Sequence, residues 1–344
     1  MKDKPAMIEI VKNRHEIVFF IEAKNTNYNG DPDMENIPRV DYETGLGYMT
    51  DVSIKSRVRR YIQDTVNKPG YEIFVKDKAN LNKAIAECAV KAASGDENSK
   101  KSHSVDDAST AARERFYDVR AFGGVLTTGA NAGQIQGPIQ ISMPLSKDPV
   151  QTIDATITRC SYADGKSLDM EEYDKIEAKT PDDKKRTMGK KAFASYALFE
   201  VHVFVSANLA GKSGFTEEDL SLFMEAIMNM YNYQTSSSKA GMSVVGPMIV
   251  FKHVGTINNN TEEQRAREAL LGCCSAQKLF ALIDVHKKEN VEYPREYTDY
   301  EASVSVTKLP AGVKIGFKQN PYRAVEWVEN YGEIPKDIEW LNVI

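Results

Sequence analysis

Two runs of cations are the residues in this sequence best placed to do chemistry, and that chemistry is polyanion binding. Between Val52 and Lys68 stand Lys55, Arg57, Arg59, Arg60 and Lys68 against the single acid Asp64. Between Lys184 and Lys191 stand Lys184, Lys185, Arg186, Lys190 and Lys191 with no acid at all. A charge run is usually just a solvated face, but such a face tends to mix both signs, and these runs do not. Tyr61 beside the first run, and Met188 and Phe193 beside the second, add apolar surface on which a base can stack or into which it can be wedged. The whole chain carries a formal net charge of −5. Basic elements on an acidic body suit a protein that holds a polyanion in one groove and stays soluble elsewhere.

Other motifs offer weaker chemistry. Asp31 and Asp33 in NGDPD have the oxygen ligands that Mg²⁺ takes, yet Asp and Asn beside Gly and Pro are also common turn formers, and no third acid at fixed spacing completes a site. The turn is the preferred reading, and no metal or cofactor is expected. GANAGQIQG (129–137) is either a plain flexible loop or a bare backbone that approaches a phosphate chain, with Gln134 and Gln136 as donors. Gly211-Lys212-Ser213 imitates a phosphate-binding loop, but such a loop needs a glycine five residues before its Gly-Lys pair, and position 206 is Ser. Cys88, Cys160, Cys273 and Cys274 form neither a metal knuckle nor a disulfide framework and read as buried thiols; the five histidines are scattered.

These groups need elements to hold them. The chain has 344 residues, 42% hydrophobic and 27% charged, the composition of a globular protein. No apolar run approaches the roughly 20 residues of a membrane span, and MKDKPAMIEIVKNRHE has no signal-peptide core, so a cytoplasmic location and no membrane partner are expected. HEIVFFIEAKN reads as a strand with Ile17, Phe19, Ile21 and Ala23 on one face and Glu16, Glu22 and Lys24 sharing the other with Val18 and Phe20. Asp51 is the expected N-cap of a helix over about 52–66 that buries Ile54, Val58, Tyr61, Ile62 and Thr65 and points Arg59 and Arg60 outward. Further elements are expected as a helix near Ala108–Phe116, strands in GPIQISMP and QTIDATITRC, a strand over Tyr196–Leu209, a capped helix from Thr216, a strand over Val244–Val254, a helix near Glu262–Leu271, and a hairpin joining 302–308 to 313–318. SGDENSKKSHS reads as a mobile loop, and 162–191 is too polar to join a core. This order predicts an α+β fold of the split βαβ type with large insertions, and a sheet with one polar face open to RNA.

The ordered motifs NGDPDMENIPRVDYETGLGYMTDVSIKSRVRRYI, FYDVRAFGGVLTT, GQIQGPIQIS, the ITR at 157–159, RTMGKK at 186–191 and MIVFKH at 248–253 resemble the repeating backbone subunit of type I-C CRISPR surveillance complexes (Cascade) over roughly residues 13–318. The resemblance implies an RRM-like (ferredoxin-like) palm over 1–320, interrupted by fingers at about 60–130 and a thumb at about 160–193. The acidic stretch 321–344 lies outside it and is assigned no role. It further implies a non-enzymatic protein whose copies stack along the CRISPR RNA and present it to target DNA, with large, small and repeat-processing end subunits as partners. By position, Arg39, Lys55, Arg57, Arg59, Arg60, Arg120, Gln134, Gln136, Arg186, Met188, Lys190 and Lys191 would contact RNA. The other reading follows type III relatives, similar in fold, which cut target RNA with an aspartate in the loop after the first strand; here that loop carries Asp31 and Asp33.

Overall fold

The computed structural model describes residues 9–93, 104–257, 261–328 and 338–344. The sequence SGDENSKKSHS, expected as a mobile loop, falls largely outside them. The described helices are α1 (Asp51–Thr65), α2 (Leu81–Ala93), α3 (Val105–Arg115), α4 (Tyr117–Phe122), α5 (Met170–Lys179), α6 (Ala207–Ser213), α7 (Glu217–Asn229), α8 (Glu262–Leu271) and α9 (Ala276–Phe280).

Alternation in HEIVFFIEAKNT produces the strand His15–Thr26 at the centre of an antiparallel sheet. On one side it pairs with Met242–His253, which continues to Val313–Lys318 and the short edge strand Glu326–Trp327. On the other it pairs with the longest strand, Thr187–Val205, from His15 opposite Val205 to Thr26 opposite Ala194. Ile139–Ile141 adds at the Val205 end of that strand. Beyond Ala194 the long strand leaves the sheet body and pairs with Thr152–Arg159 as a projecting two-stranded arm. The arm's first strand begins at Thr152, and α5 lies between its two strands in sequence.

One face of the sheet behaves as the alternation requires. Ile17, Phe19, Ile21 and Ala23 meet Ile54, Val58, Tyr61 and Ile62 of α1 and Leu220, Phe223 and Ile227 of α7 in one core. The opposite face is not open. Val18 and Phe20 are buried against α9, the strands 283–287 and 300–304, and Leu341. The polar residues of this face are buried as pairs: Glu16 meets Arg14 at 2.6 Å and His253 at 2.7 Å, and Glu22 accepts from the Tyr297 amide at 2.6 Å. Reading Glu16 and Glu22 as solvent-facing overlooked that a carboxylate supplied with donors can be enclosed. The covering layer also corrects two other expectations. Tyr300–Val304 pairs with Ile283–Lys287 and Leu341–Val343, not with Val313–Lys318, so no 302–318 hairpin forms. The C-terminal segment, far from having no place, sends Trp340 edge-on against Phe20 at 5.1 Å and its indole N–H to the Tyr300 carbonyl.

Local signals explain the rest. Thr50, not Asp51, caps α1; its hydroxyl accepts from the Ser53 amide, and its own amide donates to Asn29. Thr216 and Asp219 form a reciprocal capping box at α7. The strand expected to reach Leu209 stops at Val205 because Ser206 caps α6. Gly211, Lys212 and Ser213 are thus in the last turn of a helix, not a loop before one. The α2–α3 unit has its own core of Ile85, Ala89, Ala108, Ala112 and Phe116. Cys88 is buried as expected, Cys273 and Cys274 are half-buried, and Cys160 is exposed.

His15 lies buried beside Lys252 with its Nδ1 unpaired, and burial, with Lys252 adding, pushes its pKa down to about 3. An unfolded histidine takes up its proton near 6.5, so stability must fall as pH drops from 6.5 toward 3, by about 1.4 kcal/mol per pH unit. Between pH 7 and pH 5 the wild type should lose about 2 kcal/mol more than a His15→Leu variant in urea unfolding. Equal losses would remove His15 from the account.

Candidate nucleic-acid interface

The sequence-predicted cations separate into buried anchors and available groups. Arg120 is an anchor. It is 8% exposed and forks onto Asp219, Nε to Oδ2 at 2.9 Å and Nη2 to Oδ1 at 2.8 Å; Nη1 donates to the carbonyls of Gly70 and Arg113. Burial works against its charge, but the Asp219 bonds and attraction outweigh it and hold the pKa above its ordinary value. A guanidinium committed in this way has little left for a phosphate, which corrects the expectation for Arg120. Arg59 is likewise turned inward, donating to Asp118 at 2.8 Å over the Phe122 ring. Asp118 itself accepts the Phe74 and Val75 amides and so ties α1, α4 and the 73–75 segment together. Helical spacing put Arg59 outside because α4 is not visible from α1 alone. Lys55 pairs with Asp51 at 2.8 Å. Arg57 lies over the Tyr231 ring, Arg60 is exposed, and neither has an ion-pair partner among the described residues.

A second group gathers where the first strand ends at Thr26. Arg39 reaches Asp31 at 2.9 Å, while its buried Nε has no partner. Asp31 also accepts the Asp33 amide at 3.1 Å, the turn the Asn/Asp-rich sequence predicts. Lys190 meets Glu35 at 3.2 Å with both side chains more than 70% exposed, a contact that water and salt weaken. Lys191 donates to the Ser237 carbonyl at 3.1 Å. Asn27 donates to the carbonyls of Asn36 and Ala192 and leaves its buried Oδ1 unpaired. Lys239, which sequence reasoning missed, donates to the carbonyls of Asn27 and Tyr28; burial, with the Arg57 charge adding, pushes its pKa down to about 7. Its only sequence signal was its place in the polar loop QTSSSKAG. The result is one end of the sheet where Arg39 and Lys239 of the loops, Arg57 of α1 and Lys190 and Lys191 of the long strand are tied to the same group of loops.

The arm extends this region. Cross-strand neighbours share a face, so Met188 and Lys190 stand with Thr158 and Thr156, while Lys191 stands with Ala155 on the other. Met188 is 76% exposed, but it lies within a strand and not at a hairpin tip. Beyond it, Arg159, Lys179, Lys184 and Arg186 border a concavity of about 530 Å³ that also includes Tyr162 and Asp164. Arg159 was not among the expected contacts, although the ITR motif contains it. Lys185 is paired with Asp182 at 3.0 Å.

Gln134 and Gln136 do not join this region. Their short strand, Gln134–Gln136, lies beside α4 and α6, and α6 follows the Val205 end of the long strand. Lys190 and Val205 are separated by roughly 50 Å of strand. Gly133 adopts a φ of +78°, and its amide donates to Asn131 Oδ1 at 3.0 Å, so it is a turn residue. The close backbone approach in this loop is internal: a Cβ at Gly137 would lie 2.2 Å from the Phe122 carbonyl carbon.

A chain described as a CRISPR RNA-guided surveillance complex, pre-nicking, is 14% identical and aligns over 78% of this chain and 85% of its own, with a TM-score of 0.45. A second, described as a CRISPR RNA-guided surveillance complex, is 11% identical over 85% and 88%, with a TM-score of 0.41. A relative from Haloferax volcanii described as CRISPR-associated protein Cas7 is 31% identical over 119 residues, which is 35% of this chain and 34% of that protein. The chain thus spans about a third of the length of that curated relative. The family model for CRISPR-associated protein Cas7 matches residues 13–305, most of the sequence, and the chain belongs to that family.

Proposed function

We propose that this chain is the repeating backbone subunit of a type I-C surveillance complex, that it binds CRISPR RNA without cutting it, and that it presents the guide to target DNA. The observation that carries the reading is the set of cations at the Thr26 end of the sheet, continued along the exposed arm by Lys190, Arg186 and Arg159. Such a surface holds a backbone without reading its sequence. In this reading the sheet with α1 and α7 is an RRM-like palm. Its four principal strands, taken in chain order as 15–26, 139–141, 187–205 and 242–253, lie in the spatial order fourth, first, third, second, as in a split βαβ fold. The α2–α3 unit is the fingers and the 152–194 arm is the thumb, while the C-terminal segment belongs to the palm. Copies of the chain line up along the guide, with large, small and repeat-processing subunits as partners. Asp31 is engaged by Arg39 and by its own turn, which favours binding over metal-dependent cleavage.

The α1 cations provide a test. Arg57→Ala with Arg60→Ala should weaken RNA binding alike for all guide sequences and reduce the magnitude of the log–log salt slope by about 0.7 per lost contact. Unchanged affinity and slope would place the RNA elsewhere. Arg59→Ala is the contrasting control; it should lower thermal stability, because it strands the buried Asp118.

A further inference from the structure

A second cluster of polar and cationic groups lies near the Val205 end of the long strand, away from the arm. A cavity of about 320 Å³, of the size that small-ligand sites begin at, is lined by Ser109 and Arg113 of α3, Gln134 and Gln136 of their short strand, and Lys212 and Ser213 of α6. No carboxylate lines it. The Arg113 guanidinium is fixed across its rim: Nε donates to the Ser109 carbonyl at 3.4 Å, Nη2 to the Thr110 hydroxyl at 2.8 Å, and Nη1 to the Lys212 carbonyl. Two of its five N–H groups remain. Lys212 is exposed and without an ion-pair partner among the described residues. Gln134 and Gln136 alternate with buried Ile135, so their amides share one exposed face.

Ser213 supplies the observation that points to a ligand. It is 2% exposed, and its Oγ has no hydrogen-bond partner. A helical serine ordinarily returns its hydroxyl to a carbonyl one turn back, and this one does not. An enclosed hydroxyl in want of a partner is destabilising unless something arrives to bond it. Ser213 and Arg113 also border a larger cavity, about 800 Å³, but there Lys68, Arg113 and Arg120 are outnumbered by Glu9, Glu114, Glu217, Glu218 and Asp219, so its lining is net acidic and disfavours an anion. The two cavities divide by charge, and only the smaller is cationic.

We infer that the cavity between α3 and α6 binds a phosphate group. A phosphate offers acceptor oxygens in several directions, matching the donors that Arg113, Lys212, Ser213 and the two glutamine amides bring to one cavity; a carboxylate would leave part of that set unused. The site is remote from the cationic arm, so it does not depend on the guide-binding reading. The phosphate is that of a free anion or nucleotide, or one in a nucleic-acid strand.

The test uses the full chain freed of nucleic acid, carrying alanine at Lys190 and Lys191 so that the arm does not compete. Inorganic phosphate, adenosine 5′-monophosphate, a short dT strand and a glutamate-rich peptide are titrated by calorimetry and thermal shift at low ionic strength. The expected result is saturable 1:1 binding of at least one phosphate compound with a rise in Tm. Equal binding of phosphate and the nucleotide assigns a free anion, and binding of the strand alone assigns nucleic acid. Lys212→Ala should lower affinity at least tenfold and leave the unliganded Tm in place. Ser213→Ala should raise the unliganded Tm and lower affinity severalfold, a combination that a merely structural serine would not give. No saturable binding, tighter binding of the peptide than of any phosphate compound, or wild-type affinity in both variants would overturn the inference.

Discussion

Replacing Arg120 by alanine lowers the unfolding free energy by about 3–5 kcal/mol, the loss expected when one partner of a buried ion pair is removed. Arg120 joins four parts of the chain: Asp219 at the start of α7, the Gly70 and Arg113 carbonyls, and its own helix α4. Without it, Asp219, 1% exposed in the intact protein, loses its cation and keeps neutral partners such as the Thr216 amide of the capping box. Two further substitutions separate charge from packing. Arg120→Lys cannot fork onto both carboxylate oxygens and should lose less than alanine but well over 1 kcal/mol. The double change Arg120→Met with Asp219→Leu removes both charges and should recover part of the loss. Urea unfolding checks all three. An Arg120→Ala variant as stable as wild type would return Arg120 to the list of groups free to bind RNA.

The second large effect concerns the arm. Changing Lys184, Lys185, Arg186, Lys190 and Lys191 together to alanine should leave Tm within a few degrees of wild type, since these side chains are exposed or only partly covered. RNA binding should fall at least a hundredfold at physiological salt, and the magnitude of the salt slope should fall by about 2–3.5, at about 0.7 for each lost contact. Lys185 is expected to contribute least, because Asp182 already holds it. Met188→Ala should weaken binding far less and act on the shape of the RNA. If the exposed thioether is wedged between bases, chemical probing of the guide shows regularly spaced reactive nucleotides with wild-type protein and a flatter profile with the variant. Unchanged RNA affinity in the five-alanine variant would remove the arm from the interface.

The contrast between Arg120 and Lys190 also shows what the sequence could convey. The strand at His15–Asn25, the apolar stripe of α1, the capped helix after Thr216 and the helix at Glu262–Leu271 were legible, because each follows from local periodicity and caps within a single element. The second face of the sheet was not legible, because its cover comes from residues in 276–328 and 338–344, far along the chain, and Glu16 and Glu22 look exposed until His253, Arg14 and the Tyr297 amide are beside them. For the same reason cation runs were read correctly as unbalanced in sequence and incorrectly as free in space. Asp118, outside the first run, neutralises Arg59, as Asp219 does Arg120 beyond either run, whereas Arg57 and Arg60 have no ion-pair partner among the described residues. Gln134 and Gln136 were read as donors of the 129–137 loop, but their distance from the arm was not legible, because loop composition does not tell one end of a long strand from the other.

The most direct test of guide binding is to sequence whatever nucleic acid accompanies the tagged chain when it is purified after co-expression with a CRISPR array and its partner subunits. Here a uniform RNA derived from that array is predicted to copurify with wild type and to be lost from the five-alanine arm variant, with Arg59→Ala affecting yield but not RNA identity. Protein free of nucleic acid, or carrying an unselected mixture of cellular RNA, would contradict the assignment.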